Sequence, residues 1–235
     1  MEGFDILYLI AGVLLLPMIF YSILVSTRVN KVFRDYSIVY ARSGMTGYEV
    51  ARRMLKYANL DGVKIDRVRG NLTDHYNPRN NTIYLSDNVF SSNSVAAIGV
   101  AAHETGHAIQ HNENYLPVKI RSLLVPAVNI GSKLSIPLII IGIILSITSA
   151  FGIYFVYIGI AFYAITTFFM FVTLPVEYNA SSRAKKLLLE MNVLGQEEAH
   201  QAGKVLNAAA KTYVASFAVS LLFFIRMLGL FGRRR

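Results

Sequence analysis

The most constraining feature of this sequence is a set of long apolar stretches that contain no charged residue. Residues 6–26 contain no Asp, Glu, Lys or Arg, and residues 134–176 contain none either. An α-helix rises about 1.5 Å per residue, so about 20 apolar residues cross the roughly 30 Å hydrocarbon core of a bilayer. The first stretch therefore predicts one membrane-spanning helix, and the second is long enough for two.

The apolar stretches predict a mainly α membrane protein with three to four transmembrane helices. We place the spans at residues 6–26, 134–150 and 153–174. Residues 212–231 either cross the membrane or lie in its interface as an amphipathic helix, because Arg226 interrupts their apolar run. The residues before the first span are acidic, which favours an uncleaved anchor over a secretory signal.

Basic residues near the span ends predict the orientation of the chain. They cluster on one side of the predicted membrane, whereas the other side carries Glu2, Asp5 and an uncharged turn. Lys and Arg are enriched in cytoplasmic loops, so the polar segments are predicted to be cytoplasmic. Residues 233–235, all Arg, oppose this if the last segment crosses the membrane. The clustered residues are Arg28, Lys31, Arg34, Lys119, Arg121, Lys133, Arg183, Lys185 and Lys186.

Composition excludes several classes of function. The chain contains no Cys, which rules out disulfide scaffolds, Cys-ligated zinc and thiol catalysis. The formal net charge is +9, but the basic residues lie at span ends and are not interleaved with aromatic residues. We therefore expect no nucleic-acid partner.

The main polar segment, residues 28–133, mixes helical and strand patterns. Thr46 and Glu49 have the spacing of a helix capping box. A helical pattern also runs from residue 94 to about residue 111. Strands are predicted by alternating apolar residues and by turn residues between the second and third of them. They cover residues 63–68, 72–76 and 82–85.

A His-Glu-x-x-His motif occupies residues 103–107 of the last predicted helix. His103 and His107 lie one turn apart on one helical face, so two ring nitrogens can reach one ion at about 2.0–2.1 Å each. Glu104 lies on an adjacent part of the surface, where it could take a proton from metal-bound water. This spacing is typical of catalytic zinc in metallopeptidases.

Catalytic zinc needs a third protein ligand and one open position. His111 is excluded, because it lies about 12 Å from His103 along the helix axis. The metzincin pattern is excluded as well, since Glu113 stands where its third His would be and Gln110 where its Gly would be.

A carboxylate from a second helix is the remaining option for the third ligand. Glu177 is the best candidate, because it begins a polar helical stretch, residues 176–211, directly after the third span. Other acidic residues stay open as alternatives, although they are more typical of solvated helix surfaces. They are Glu113, Glu190, Glu197 and Glu198.

Several segments together resemble the YugP-type neutral zinc metallopeptidases of bacterial membranes. They are His-Glu-Thr-Gly-His-Ala-Ile-Gln-His at 103–111, Leu-Thr-Asp-His-Tyr at 72–76, Pro-Val-Glu-Tyr-Asn-Ala-Ser at 175–181, and residues 204–214. More distantly, the chain is similar to the HtpX- and Ste24-type membrane gluzincins. In those proteins the motif is followed by a transmembrane hairpin and then by a helix with a glutamate ligand.

The resemblance implies a site and a fold. His103, His107 and Glu177 would bind one zinc ion per chain, and Glu104 would be the general base. The catalytic domain would be a zincin-like, gluzincin α+β domain with a small β-hairpin or sheet. The distant relatives carry an aspartate four residues after the glutamate ligand, where this chain has Ser181. A serine can still hydrogen-bond a ligand, without charge.

The resemblance also assigns a role to the strand at residues 72–76. In gluzincins an edge strand beside the zinc pairs with the extended substrate, as open backbone groups can do with little sequence demand. The candidates for substrate binding are Leu72, Thr73, Asp74 and Tyr76. His75 either donates to the oxyanion or is a half-buried strand histidine. Tyr178 and Arg183 are weaker candidates for the oxyanion role.

These observations predict a membrane-anchored zinc endopeptidase of the bacterial cell membrane. It would hydrolyse peptides or membrane-protein segments by water that zinc activates, with Glu104 as the general base. The expected partners are this substrate and the lipid bilayer; the sequence predicts no oligomeric state. The alternative is a non-catalytic membrane adaptor or chaperone with a structural zinc, which would have four protein ligands.

Overall fold

The computed structural model describes residues 3–231 and the side chains of residues 6–231. Glu2 and the arginines at 233–235, which entered the prediction of orientation, lie outside these residues. The described helices and strands are α1 (Gly3–Ser37), α2 (Gly47–Tyr57), β1 (Lys64–Val68), β2 (His75–Asn77), β3 (Thr82–Ser86), α3 (Asp87–Phe90), α4 (Val95–Asn112), α5 (Leu116–Leu145), α6 (Gly152–Glu190) and α7 (Gln196–Phe231).

The chain divides into two compact units. The first, here called the apolar unit, comprises the described parts of residues 1–24, 120–174 and 212–235. The second, here called the α/β unit, comprises residues 25–119 and 175–211. Helix α6 continues without a break from residue 152 to residue 190, so it contributes residues to both units.

The apolar unit consists of helices that suit a membrane. Within residues 3–231, four helices are long and apolar enough to cross one, namely α1, α5, α6 and α7. Large side chains on this unit are open to the surroundings, for example Leu16, which is 74% exposed, and Ile147, which is 80% exposed. Such exposure suits lipid rather than water as the solvent. The protein is a mainly helical membrane protein.

Some polar and charged side chains inside the apolar unit have partners there. The Oγ1 atom of Thr167 on α6 lies 2.8 Å from the Oγ atom of Ser220 on α7, and both residues are buried. The Arg226 guanidinium lies 5.2 Å from the centre of the Tyr8 ring on α1. A cation over an aromatic face is stabilised where water is scarce, so the charge that interrupts the last apolar run has a partner.

The three strands form one small sheet in the order β1-β3-β2. β1 runs parallel to β3, with Ile65 opposite Ile83, and β2 runs antiparallel to β3, with His75 opposite Tyr84. The central strand β3 is nearly all buried, as its apolar residues require. Because β2 stands last in the order β1-β3-β2, it is an edge strand of the sheet.

The edge strand begins later than the sequence pattern predicts. A strand was expected at residues 72–76, but β2 starts at His75. Leu72 has a φ of 55°, in the left-handed region, which is incompatible with extended backbone. This left-handed residue interrupts the extended backbone before β2, and its partly buried side chain packs against the core beside the sheet.

Helix α4 forms the buried centre of the α/β unit. Ser94 caps it, since its hydroxyl oxygen accepts a hydrogen bond from the Ala97 backbone N–H at 3.2 Å. The first turns carry small apolar side chains that are fully buried, which allows neighbouring helices to approach closely. At Gly99, for example, an added Cβ would lie 3.2 Å from the Ala202 Cβ on α7.

The predicted capping box at the start of α2 is confirmed. Thr46 Oγ1 accepts from the Glu49 backbone N–H at 3.3 Å, and Glu49 Oε2 accepts from the Thr46 backbone N–H at 2.7 Å. α2 packs Val50 and Met54 into the core that also holds α4 residues. The cap therefore fixes the start of a helix that supports α4.

We predict that Thr46→Ala lowers the free energy of unfolding by about 1 kcal/mol, because it removes the side-chain acceptor at the N-cap. The measurement is chemical unfolding in detergent micelles, followed by far-ultraviolet circular dichroism. Ser43→Ala changes an exposed residue nearby and should have an effect within about 0.5 kcal/mol. Equal losses in the two variants would contradict the role of the cap.

Candidate metal centre

Helix α4 places two imidazoles side by side. His103 Nε2 and His107 Nε2 lie 3.1 Å apart, and each side chain is 15% exposed. The spacing of four residues puts both rings on one face of the helix, one turn apart. Two potential nitrogen ligands therefore point to the same place.

Helix α6 brings a carboxylate to the same place. Glu177 Oε2 lies 3.3 Å from His103 Nε2 and 3.6 Å from His107 Nε2, and its side chain is 5% exposed. The helices approach closely at Gly106, where an added Cβ would lie only 2.8 Å from the Ala180 carbonyl oxygen. A glycine at this position of the motif thus allows α6 to carry Glu177 up to the histidines.

The three donor atoms have the spacing that a zinc ion requires. Ligands bound tetrahedrally at about 2.0–2.1 Å are separated from one another by about 3.3 Å. The observed separations among His103, His107 and Glu177 are 3.1, 3.3 and 3.6 Å. Two imidazole nitrogens and one carboxylate oxygen are also a donor set of catalytic zinc sites. These residues therefore fit a zinc ion.

The electrostatics of the cluster keep Glu177 negatively charged. Burial opposes ionisation of Glu177, but hydrogen bonds and positive charge from the two histidines outweigh it and hold the pKa of its carboxyl well below the usual range. Burial likewise opposes a charge on His107, yet the carboxylates of Glu177 and Glu104 and the hydrogen bonds raise its pKa. The Glu177 carboxylate is thus ionised at neutral pH and offers its negative charge to a cation.

The outer ring nitrogens of both histidines have hydrogen-bond partners. His103 Nδ1 lies 3.1 Å from Ser181 Oγ, and His107 Nδ1 lies 3.0 Å from Gln110 Oε1. A proton on each Nδ1 leaves the Nε2 lone pair for a metal. The sequence pointed to Ser181 but not to Gln110. The missed signal is the spacing of three residues, which puts Gln110 on the same helical face as His107.

Glu104 lies beside the cluster and is held by the edge strand. It is 8% exposed, and its Oε2 atom accepts a hydrogen bond from the Tyr76 backbone N–H at 3.0 Å. Tyr76 lies in β2, so the sheet fixes the position of this carboxylate. The hydrogen bond from Tyr76 thus joins strand β2 to helix α4 at Glu104, the residue that the sequence suggests as general base.

A comparison with known proteins identifies the family. A family model described as "Putative neutral zinc metallopeptidase" matches residues 11–232. The chain belongs to this family. It is 41% identical over 204 residues to the "Putative membrane protease YugP" of Bacillus subtilis (strain 168), and the alignment covers 87% of this chain and 88% of the relative. No solved structure matches the chain.

The resemblance to the YugP-type neutral zinc metallopeptidases is therefore confirmed, and the protein is a zinc metallopeptidase of a membrane. Membership of a zinc metallopeptidase family implies a zinc ion, and the three donor atoms described above form a possible site for it. The other residues proposed from the sequence can now be located around this site.

The remaining acidic candidates for the third ligand are engaged elsewhere. Glu113 pairs with Arg183 at 2.7 Å, and Glu190 lies 3.6 Å from Lys186. The other two belong to the N-terminal turn of α7. Glu197 accepts from Gln201, and Glu198 accepts from the Arg42 and Gly195 backbone N–H groups.

The predicted substrate residues lie at and before the edge strand. Leu72 and Thr73 lie in the turn before β2. Asp74 accepts hydrogen bonds from the Ser86 backbone N–H at 2.7 Å and from its hydroxyl, and burial, with a smaller contribution from the Glu104 charge, raises the pKa of its carboxyl. The exposed His75 donates from Nδ1 to the Thr73 carbonyl at 2.9 Å and stacks on Tyr84.

We predict that Gly106→Ala weakens zinc binding and lowers the free energy of unfolding by about 1–3 kcal/mol, because the new methyl group meets the Ala180 backbone. The backbone cannot yield as a flexible side chain would, so α6 and Glu177 must shift. The measurements are zinc content after dialysis against a weak chelator and thermal unfolding in micelles.

Gly203→Ala on α7 is the matched control for Gly106→Ala. Its new methyl group would meet the Lys185 side chain, at 3.2 Å from Cδ, which can move aside. We expect wild-type zinc content and stability for this variant. Unchanged zinc content in Gly106→Ala would show that the close approach of α4 and α6 does not set the geometry of the site.

Proposed function

We propose that this protein is a membrane-anchored zinc endopeptidase in which His103, His107 and Glu177 bind one zinc ion per chain. One observation carries the proposal. This chain belongs to a zinc metallopeptidase family, and the three donor atoms lie within 4.8 Å of one another although two come from α4 and one from α6. A shared ion at this buried point would compensate the Glu177 charge.

The order of the elements supports a zincin-like domain of the gluzincin type. The motif lies on α4, the α5–α6 pair follows, and the third donor comes from α6. The small sheet places its edge strand β2 against the motif helix through the contact between Tyr76 and Glu104. The sequence resemblance to membrane gluzincins implies the same arrangement.

In the proposed mechanism, Glu104 is the general base. When bound, zinc supplies a Lewis acid that lowers the pKa of a bound water toward about 7. With His103, His107 and Glu177 holding the ion, Glu104 would take a proton from the attacking water, whose oxygen would bond to the scissile carbonyl carbon. Glu104 would then give that proton to the amide nitrogen as the C–N bond breaks. The Tyr76 N–H holds Glu104 Oε2, which leaves Oε1 to move the proton.

Substrate binding is proposed along the edge strand. A peptide lying extended beside β2 would pair with outer backbone groups other than the Tyr76 N–H, which Glu104 occupies, and Leu72, Thr73, Asp74 and Tyr76 shape this edge. Asp74 supports it by tying the chain before β2 to Ser86 at the end of β3. His75 already donates from Nδ1, so it can donate to an oxyanion from Nε2 only as an imidazolium.

The distribution of Lys and Arg supports a catalytic domain on the cytoplasmic side of a bacterial cell membrane. The proposed substrates are peptides or membrane-protein segments. A structural zinc would need four protein ligands. Among the residues that the structure describes, the His, Asp and Glu cluster has three members, which suits a site with an open position. This favours the peptidase over the adaptor alternative.

We expect purified wild-type protein to contain about one zinc per chain, and His103→Ala and Glu177→Gln to lose it. Glu104→Gln should retain the metal but lose about 100-fold or more of its peptide cleavage, because it removes the proton acceptor. Metal analysis measures the zinc content, and cleavage of a fluorogenic peptide library in micelles measures the activity.

Glu190→Gln is the matched control, since it makes the same chemical change at a half-exposed ion pair on α6. It should keep both zinc and activity. Cleavage by Glu104→Gln at the rate of the Glu190→Gln variant would falsify the mechanism. Zinc retained in both ligand variants would instead contradict the assigned metal site.

A further inference from the structure

Gln110 is a fully buried polar residue one turn beyond His107 on α4. Its Oε1 atom lies 3.0 Å from His107 Nδ1. Its Nε2 atom donates to the Val176 carbonyl at 2.8 Å and to Asn179 Oδ1 at 2.9 Å. Both ends of the amide are therefore engaged, and two of the three partners belong to α6.

These partners determine which way the Gln110 amide faces. A backbone carbonyl only accepts hydrogen bonds, so the amide nitrogen must face Val176 and the amide oxygen must face His107. An amide oxygen also only accepts, so His107 Nδ1 carries the proton. In the neutral imidazole that a metal ion requires, the Nε2 atom is then the unprotonated one, and it is directed at His103 and Glu177.

Asn179 is oriented in the same way by a charged residue. Its Oδ1 atom accepts from Gln110 Nε2 and also from Arg183 Nε at 2.7 Å. Arg183 only donates, and its Nη1 atom is held by Glu113 Oε2 at 2.7 Å. Glu113 lies at the C-terminal end of α4, so this series of contacts joins the two helices that carry the metal donors.

We propose that Gln110, with Asn179 and Arg183 behind it, is a positioning group that fixes the tautomer and ring orientation of His107 for zinc. The inference rests on the proposed zinc site. Outer partners of this kind direct the ligand lone pair at the metal, and their loss costs about 10–100-fold in metal affinity. Gln110 does so here as a neutral amide, and Ser181 is likewise neutral at His103.

The chain of contacts from Gln110 through Asn179 and Arg183 to Glu113 runs from the buried core to the surface. Its members can therefore be changed one at a time. Gln110 is fully buried, whereas the side chain of Arg183 is 25% exposed and that of Glu113 is 51% exposed. A change at Asn179, which is partly buried, alters the orientation of Gln110 without removing a core side chain.

The test measures the zinc dissociation constant in micelles by competition with a chelating dye, and thermal unfolding with and without zinc. Gln110→Met keeps the length of the side chain and removes the acceptor, so we expect zinc affinity to fall about 10-fold or more. Asn179→Ala should lower the affinity less, while Asn179→Asp keeps an acceptor for both Gln110 and Arg183 and should bind nearly as wild type.

Thr105→Val is the matched control on the same helix. Thr105 is fully buried and donates to the Ala101 carbonyl at 2.8 Å, so the variant loses a buried hydrogen bond that includes none of the proposed metal donors or their hydrogen-bond partners. We expect its apoprotein to unfold at a lower temperature with an unchanged zinc dissociation constant. This is the pattern of a purely structural role.

The same pattern in Gln110→Met would overturn the inference. If that variant does not fold, equal zinc affinities of Asn179→Ala and Asn179→Asp overturn it. A wild-type protein that binds no zinc would refute the proposed function itself. Zinc binding that is weakened by His107→Ala but not by Gln110→Met would refute only the positioning role.

Discussion

The close approach of α4 and α6 is the contact on which the metal centre depends. At Gly106 the backbones come so near that a methyl group would lie 2.8 Å from the Ala180 carbonyl oxygen. This contact brings Glu177 of α6 within 3.3 Å of His103 of α4. It also brings Val176 and Asn179 within reach of Gln110. The three proposed donors, and Gln110 as the side chain proposed to orient His107, thus depend on one packed helix pair.

The site combines a buried charge with neutral supports. A buried carboxylate is costly unless it is compensated, and Glu177 faces two imidazoles that also suit a zinc ion. The outer nitrogens of those imidazoles contact a hydroxyl and an amide rather than further carboxylates. The remaining nearby carboxylate, Glu104, is held by a backbone N–H of β2. The two acidic groups therefore have separate tasks in the proposed chemistry, Glu177 as a metal ligand and Glu104 as the general base.

Much of the architecture could be predicted from local patterns. Uncharged apolar runs predicted the membrane helices, and the Ser94 region predicted the start of α4, because both depend on neighbours in sequence. The edge strand was predicted three residues too early, because Leu72 has left-handed rather than extended backbone, which the apolar alternation does not reveal. The role suggested for Gln110 was missed, because its partners on α6 lie far away in the sequence.

The sequence by itself determined the membrane helices and the pairing of His103 with His107, since helical periodicity alone places two residues four apart on one face. It left four other acidic residues beside Glu177 as possible third donors. Only the tertiary structure brought the Glu177 carboxylate to the histidines and paired the others elsewhere. The physical reason is that the choice depends on the distance between two helices, which the packing at Gly106 decides and no local pattern encodes.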